Sequence, residues 1–305
     1  MKLSRIALPV ACIAAVTVFI ATSNFPAAQA ADLTVSVPIG SASEYSVLGA
    51  STVTNTGPTS LARSLGLAPG TSITGFPPGV VSSQGETNIA NASAQRAQAD
   101  LTAGYINAAG RPLNGTTPAD LSGQNLKSGV YAADGKGSLS LTGTLVLDGN
   151  GNSDSVFIFQ TDSTLTTGSG SSVVLINGAQ ACRVYWVVGS SATLGTGSAF
   201  VGTIMAQASI TVTTGASVRG RALARTGAVT LDSNVFTPAS CQPPTSTGIP
   251  TTTRPGTGAP QGTATSVPTI VATGSGHGPQ LLIATMFLAA GITIAMVSRR
   301  RQLIR

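Results

Sequence analysis

Charge and aromatic rings are what this chain has least of. Charged residues are 9% of its 305 positions and aromatics 4%, where an ordinary soluble domain is about a quarter charged. There is one histidine, His277. No metal-ligand spacing, phosphate loop or Gly-x-Ser-x-Gly elbow occurs, and the carboxylates are sparse and scattered. The expectation is no enzyme, no metal and no other cofactor. The net charge of +6 and the pI of 9.7 mislead. Of sixteen basic residues, two lie in the first five positions and four in the last seven; the remaining ten share residues 31 to 279 with all ten acids. That body is neutral, so nucleic acid is not an expected partner. A neutral exterior rich in Thr, Ser, Ala and Gly suits contact with something uncharged, although stacked small residues in a repetitive fold would produce much of the same composition.

Cysteine is also scarce. Cys12 falls in an N-terminal leader, leaving Cys182 and Cys241. An even pair in an exported chain reads as a disulfide.

The two ends stand apart from the body. Lys2 and Arg5 precede an apolar run from Ile6 to Ile20, and Ala28-Gln29-Ala30 offers a cleavage site; residues 1–30 read as a signal peptide. Residues 31–43 read as a flexible lead-in. Residues 242–279 are Pro-, Thr- and Gly-rich and aperiodic, a disordered stalk. Residues 280–298 are apolar enough for a transmembrane helix, seventeen or eighteen residues giving about 26–27 Å against a hydrocarbon core of about 30 Å. Arg299, Arg300 and Arg301 open a cytoplasmic basic tail, 299–305. The expected location is the cell surface, held by the C-terminal helix. Ile270-Val271-Ala272-Thr273-Gly274 resembles a degenerate sortase signal, with Val where Pro or Ala is usual, so retention in the membrane is the expectation.

Between the ends, four stretches repeat one pattern: Ser163–Gly168, Ala192–Gly197, Ile210–Gly215 and Val229–Asn234. Thr193, Thr211 and Thr230 are 18 and 19 residues apart, and Thr164 lies 29 before Thr193, which fits one repeat plus an insertion. A period near 18 built from small, β-branched and Gly residues suits a three-sided β-solenoid, with three strands and three corners per coil. One segment breaks the β pattern. From about 87 to 109, Ala90, Ala94, Ala97, Leu101, Tyr105 and Ala108 recur at spacings of three and four, with Arg96, Gln98 and Asp100 mostly outward, a helix ended by Gly110 and Pro112. Asp148–Asp154 alternates oxygen side chains like a calcium loop, but Ser153 replaces the required Gly and Phe159 the required Glu, so it reads as a turn. Arg219, Arg221 and Arg225 read as a solvated cap on the last coil.

Several motifs in order carry a family resemblance: Val47–Gly57, Thr71–Gly79, Ser128-Gly129-Val130-Tyr131, Val156–Gln160, Leu175–Ala179, and Gly220–Arg225 between the last two repeats. Over residues 44–241 the chain resembles the bacterial and fungal ice-binding-like adhesin domain. The resemblance implies an irregular solenoid of triangular cross-section with a long helix alongside, coils that need not stack in sequence order, and, in known members, ice bound through one flat face. Many relatives have no shown ice activity.

In the repeats, Leu165, Leu194, Val212 and Leu231 should point inward. The outward columns are then Thr164, Thr193, Thr211, Thr230 and Thr166, Gly195, Thr213, Asp232. Thr164, Thr166, Thr193, Thr211, Thr213 and Thr230 are the candidate contact residues. Each threonine offers a methyl that disfavours disordered water and a hydroxyl that holds a water in place. The leading reading is a monomeric surface protein that adsorbs to ice; the alternative is an adhesin or envelope domain of the same fold that meets a glycan or a cell-surface protein.

Overall fold

The computed structural model describes residues 33–241. The expected signal, stalk, membrane span and tail lie outside the described residues. Among the described residues no helix is long and apolar enough to cross a membrane.

The architecture is mostly β, with parallel strands on three faces of a coil stack and one long helix. Strands are short because small and glycine-rich corners interrupt the chain every few residues, and their side chains alternate inward and outward. One face, the helix face, runs in spatial order Thr87–Ile89, Ser64–Leu67, Tyr45–Gly49, the second halves of Ser217–Ala224 and Ala199–Ala206, Val184–Val188, Phe157–Thr161, Gly129–Ala133 and Gly115–Thr117. A second face runs Leu139–Leu141, Leu165–Thr167, Ala192–Leu194, Ile210–Val212, Val229–Asp232, Thr52–Thr56 and Ser72–Thr74. The third face runs Asn125–Lys127, Thr144–Asp148, Ser172–Ile176, the first parts of Ala199–Ala206 and Ser217–Ala224, then Val235–Thr237, Ser60–Leu61 and Val80–Val81. Spatial order is therefore not sequence order. The N-terminal coils stack on the last repeat, Val47 beside Ala222, Val53 beside Val229 and Ser60 beside Val235.

That arrangement dictates the helix. After Thr87–Ile89 the chain is at one end of the stack, yet Gly115–Thr117 is at the other. Eight strand spacings separate them, about 38 Å at the usual 4.7–4.9 Å. The 18-residue helix Ala92–Ala109 covers about 27 Å of this at 1.5 Å per residue, and the flanking turns supply the rest. The helix starts later than its periodicity suggests. Thr87–Ile89 is a strand, Ala90 has φ of 50°, and the Asn91 side chain caps the Ala94 amide at 2.9 Å. Ala94, Ala97, Leu101, Gly104 and Ala108 are its buried stripe. Gln98 does not simply face water: its amide donates to Gly49 O and Ala224 O.

The lead-in is part of the fold rather than a flexible arm. Val37, Ile39 and Ala42 are buried, and Gly40–Glu44 forms a 3-10 turn against the helix. The Ser41 amide and hydroxyl both donate to Asp100 Oδ2, at 2.7 and 2.5 Å. The helix comes so close here that a Cβ on Gly104 would lie 2.9 Å from Ile39 Cγ2 and 3.0 Å from Pro38 O.

Inside the coils, leucines, valines and isoleucines form one continuous core, joined by a run of stacked rings. Trp186 stacks on Phe159 at 4.2 Å between centroids, Tyr131 lies 6.0 Å from Phe159, and Phe200 lies 5.0 Å from Trp186. The indole N–H is satisfied by Val201 O at 3.0 Å. Cys182 and Cys241 form a disulfide across 59 residues, a loop for which chain-entropy reasoning gives about 4 kcal/mol of stabilisation.

The arginine expectation changes, and the turn at 148–154 stands. The three arginines are not an end cap, because further coils cover the last repeat. Arg221 is buried and donates to Ser43 O (2.9 Å) and Thr203 Oγ1 (3.2 Å). Arg225 lies over the Tyr105 ring at 4.4 Å and donates to Gln207, and Arg219 alone of the three is exposed. The acidic turn 148–154 has its oxygens occupied from within: Asp148 Oδ1 accepts from Asn150 N and Asn177 Nδ2, and Asp154 pairs with Arg183.

Two long strands turn from the third face to the helix face at Gly202 and Gly220, which lie directly over one another. A Cβ on Gly220 would overlap Gly202 O, and the three nearest atoms are all Gly202 backbone. Gly220→Ala is expected to cost about 3 kcal/mol, the upper end for overpacking a close-packed site, read as a fall in Tm by thermal unfolding. A variant as stable as the parent would show that this corner relaxes freely.

Candidate functional site

The second face is a flat lattice with one uninterrupted file along it. In each strand an apolar residue precedes the hydroxyl residue, and Leu139, Leu165, Ala192, Ile210, Val229 and Val53 are buried inside; the residue that follows is apolar in four strands and Thr167, Asn55 or Gly75 in the others. The ladders place Ser140, Thr166, Thr193, Thr211, Thr230, Thr54 and Thr74 opposite one another in sequence of coils. Six of the seven are threonines. Thr166, Thr230, Thr54 and Thr74 are exposed and Ser140, Thr193 and Thr211 half-buried. Successive members are about 4.7–4.9 Å apart, the interstrand spacing. The side chains cannot wander far, because β-branching leaves few χ1 rotamers and the backbone beneath is hydrogen-bonded on both edges. Thr54 Oγ1 donates to Thr230 Oγ1 at 3.3 Å.

This register corrects the columns that the repeats suggested. Thr166, not Thr164, stands beside Thr193. The run Thr164-Leu165-Thr166-Thr167 is periodic by two, so either threonine fits the outward pattern. The corner decides: Gly168-Ser169-Gly170 must lie over Gly195-Thr196-Gly197, since Gly170 N donates to Thr196 O as Gly197 N donates to Thr214 O. Thr164 falls one outward position earlier, half-buried, with its hydroxyl on Ser138 Oγ at 3.1 Å. Matching Gly-x-Gly to Gly-x-Gly would have found this in the sequence.

The neighbouring outward row is not a second threonine file. It reads Thr142, Gly168, Gly195, Thr213, Asp232 and Thr56 in register with the first. A Cβ on Gly195 would overlap the backbone of Gly168. Thr213 turns its hydroxyl onto Leu194 O at 2.7 Å. Asp232 folds its carboxylate onto the corner, accepting from Thr214 Oγ1 (2.5 Å) and Ser233 Oγ (3.0 Å). The seven strands of this face contain no Lys or Arg, and Asp232 is their only charged residue. Thr54 and Thr74 were missed because they belong to coils that sequence order does not place beside the repeats; Ser140 lies in the coil just before the first repeat and was missed because Leu139-Ser140-Leu141 lacks the repeat's threonine.

One end of the file is closed by Asp120, bridged to Ser140. Its Oδ1 accepts from Ser122 N (3.1 Å), Ser122 Oγ (2.7 Å) and Thr142 N (3.2 Å), and its Oδ2 from Thr142 Oγ1 (2.6 Å). These bonds, the side-chain one from Ser122 foremost, hold its pKa down to about 2. Elsewhere, among the described residues, no three His, Cys, Asp or Glu converge as a metal site.

Comparison with known proteins supplies the family context. The model of the ice-binding-like family matches residues 47–237. An ice-binding protein of Nostoc sp. (strain HG1) is 46% identical over 224 residues, covering 72% of this chain and 80% of the relative. The crystal structure of an ice-binding protein from the Antarctic ascomycete Antarctomyces psychrotrophicus superposes with a TM-score of 0.64 at 38% identity, over 68% of this chain and 99% of that one. A structure of an ice-binding protein from an Antarctic biological consortium also gives a TM-score of 0.64, at 42% identity, over 68% and 93% of the two chains.

Asp120 yields a pH test. Its folded pKa lies below the ordinary 3.8, so its contribution to stability is complete above about pH 4 and disappears as pH falls through about 2. Asp120→Asn should lower stability at neutral pH by about 1 kcal/mol, a figure already discounted for solvent screening. Denaturant unfolding of parent and variant should differ at pH 7 and converge at pH 2; a difference that persists unchanged at low pH would assign the loss to packing instead.

Proposed function

The chain belongs to the ice-binding-like family, and from that premise we propose that it binds ice by adsorption through the threonine file of the flat second face. The observation that carries this reading is the register itself. Seven hydroxyl side chains, six of them threonine, stand one per coil on a sheet with no basic residue and a single acid, Asp232. A threonine methyl leaves adjacent water few disordered arrangements, while the hydroxyl fixes one water molecule. Repeated at a constant spacing, the pair favours an ordered layer that can merge with a crystal surface. Rigidity adds to this, since groups already held in place lose little conformational freedom on binding. Gly195 and Gly168 put no side chain beside the file.

The carboxylates are compatible with such a contact. Asp120 terminates the file instead of interrupting it, and Asp232 is turned to the corner by Thr214 and Ser233. The setting we propose is the outside of the cell, with the signal-like residues 1–30 directing export and residues 280–298 holding the protein at the membrane; the composition of these segments supports that setting. The protein would then attach its cell to ice or restrain crystal growth nearby.

Substitution along the file tests the reading. Thr211→Tyr and Thr54→Tyr should each reduce thermal hysteresis and recrystallisation inhibition about tenfold, equivalent to about 1.4 kcal/mol of adsorption free energy. Val235→Tyr, on the third face, should leave both unchanged. Thr54 is the sharper probe, because only the stacking of N-terminal coils on the last repeat puts it in the file. Full activity in both threonine variants would move the contact to another face, and an inactive parent would remove ice as the ligand.

A further inference from the structure

Both described ends of the chain converge on one ridge of the coil stack. The ridge joins the third face to the helix face. The strand Ser172–Ile176 leaves the third face, passes the 3-10 turn Ala181–Arg183 and enters the helix face as Val184–Val188. One coil away, Thr144–Asp148 passes residues 149–156 and enters as Phe157–Thr161. Phe157 pairs with Val184, so Val156 and Arg183 are equivalent positions on adjacent coils. Val156 N donates to Leu33 O at 2.7 Å, and Arg183 Nη1 donates to Thr34 O at 3.3 Å. Cys241, the last described residue, is bonded to Cys182 in the same turn.

The ridge carries two long, mutually braced excursions. From Leu139 to Leu165 and from Leu165 to Ala192 the register advances 26 and 27 residues, against 18 from Ala192 to Ile210 and 19 from Ile210 to Val229. The extra residues are the two excursions on this ridge; in the shorter coils the chain runs straight over Gly202 and Gly220. The excursions brace one another. Asn177 Nδ2 donates to Asp148 Oδ1 (2.9 Å), Gln180 Nε2 to Ser153 O (3.1 Å), and Arg183 pairs with Asp154 at 2.5 Å. The exit is also carried to this point. The last strand, Val235–Thr237, lies three strand spacings away through the ladders to Ser217, Ala199 and Ser172, roughly 14 Å. Four extended residues, Pro238 to Cys241, cover roughly 13 Å, with Ala239 buried on the way.

In a triangular cross-section the ridge between two faces lies opposite the remaining one. Here the remaining one is the threonine face. We propose that this is a mooring ridge: chain entry and exit are gathered there, the second by the Cys182–Cys241 bond, so that anything holding the ends of the chain leaves the threonine face turned away from the support and open to an extended ice plane. The inference rests on the ice-adsorption reading given above and adds its direction.

Attachment through different ridges tests it. In the full chain, Ser240 or Asp134 is replaced singly by an azide-bearing residue and coupled through a short linker to beads. Ser240 is exposed beside the mooring ridge; Asp134 is exposed in the turn from Gly129–Ala133 to Leu139–Leu141, on a ridge that borders the threonine face. Before coupling, both chains should show the thermal hysteresis of the unsubstituted protein. After coupling at equal density, beads held through Ser240 should be retained on an ice surface at least about tenfold better, because avidity is lost where geometry forbids engagement. Equal retention, or better retention through Asp134, overturns the mooring ridge and leaves the ice reading standing. Free chains without hysteresis overturn both.

Discussion

The parallel ladder between Thr52–Thr56 and Val229–Asp232 joins segments some 176 residues apart, and the rest of the molecule is arranged around it. It is one side of a complete coil-to-coil contact, with Val47 against Ala222 and Ser60 against Val235 on the other two faces. Backbone groups that would otherwise be an open sheet edge are paired there. The joint also puts the two ends of the coil series far apart, and so requires the helix to travel the length of the stack. It lengthens the threonine file from the repeats into Thr54 and Thr74.

Glycine sets how flat the face is. At Gly195 over Gly168, and at Gly220 over Gly202, successive coils approach so closely that no side chain fits. Positive φ at Gly170, Gly197, Gly215 and Gly57 turns the chain from the threonine face toward the third face in coil after coil. Identical corners make identical strand positions, and identical positions put one hydroxyl per coil into line. The core and the surface are therefore one construction. Leu165, Leu194, Val212 and Leu231 hold the interior, and the residues between and beside them inherit a fixed outward lattice.

Much of this was readable in the chain. The 18- and 19-residue steps among Thr193, Thr211 and Thr230 predicted the coil, and the three-four spacing of Ala94, Ala97, Leu101 and Ala108 predicted the helix. The helix start was legible only in part. Thr87-Asn88-Ile89 carries no proline and sits in phase with the helical pattern, and its pairing with Ser64–Leu67 prevailed. The lead-in read as a flexible segment, yet Val37, Ile39 and Ala42 are buried in the core shared with the helix. The arginines at 219, 221 and 225 have the even spacing that would share one face of a straight strand, but the strand turns a corner at Gly220 and Arg225 lies beyond its end at Ala224, so they meet different environments.

Composition, periodicity and motif order by themselves determined a neutral, parallel β-solenoid with one helix and one disulfide pair, because each follows from local alternation, corner residues and the count of cysteines. The full membership of the threonine file was decided in three dimensions. Period-two segments such as Thr164-Leu165-Thr166-Thr167 satisfy two registers, and the matching of glycine corners on adjacent coils selects one. The place of Thr54 and Thr74 beside the repeats, and the gathering of both chain ends on the ridge opposite, depend on contacts between distant segments that no local pattern encodes.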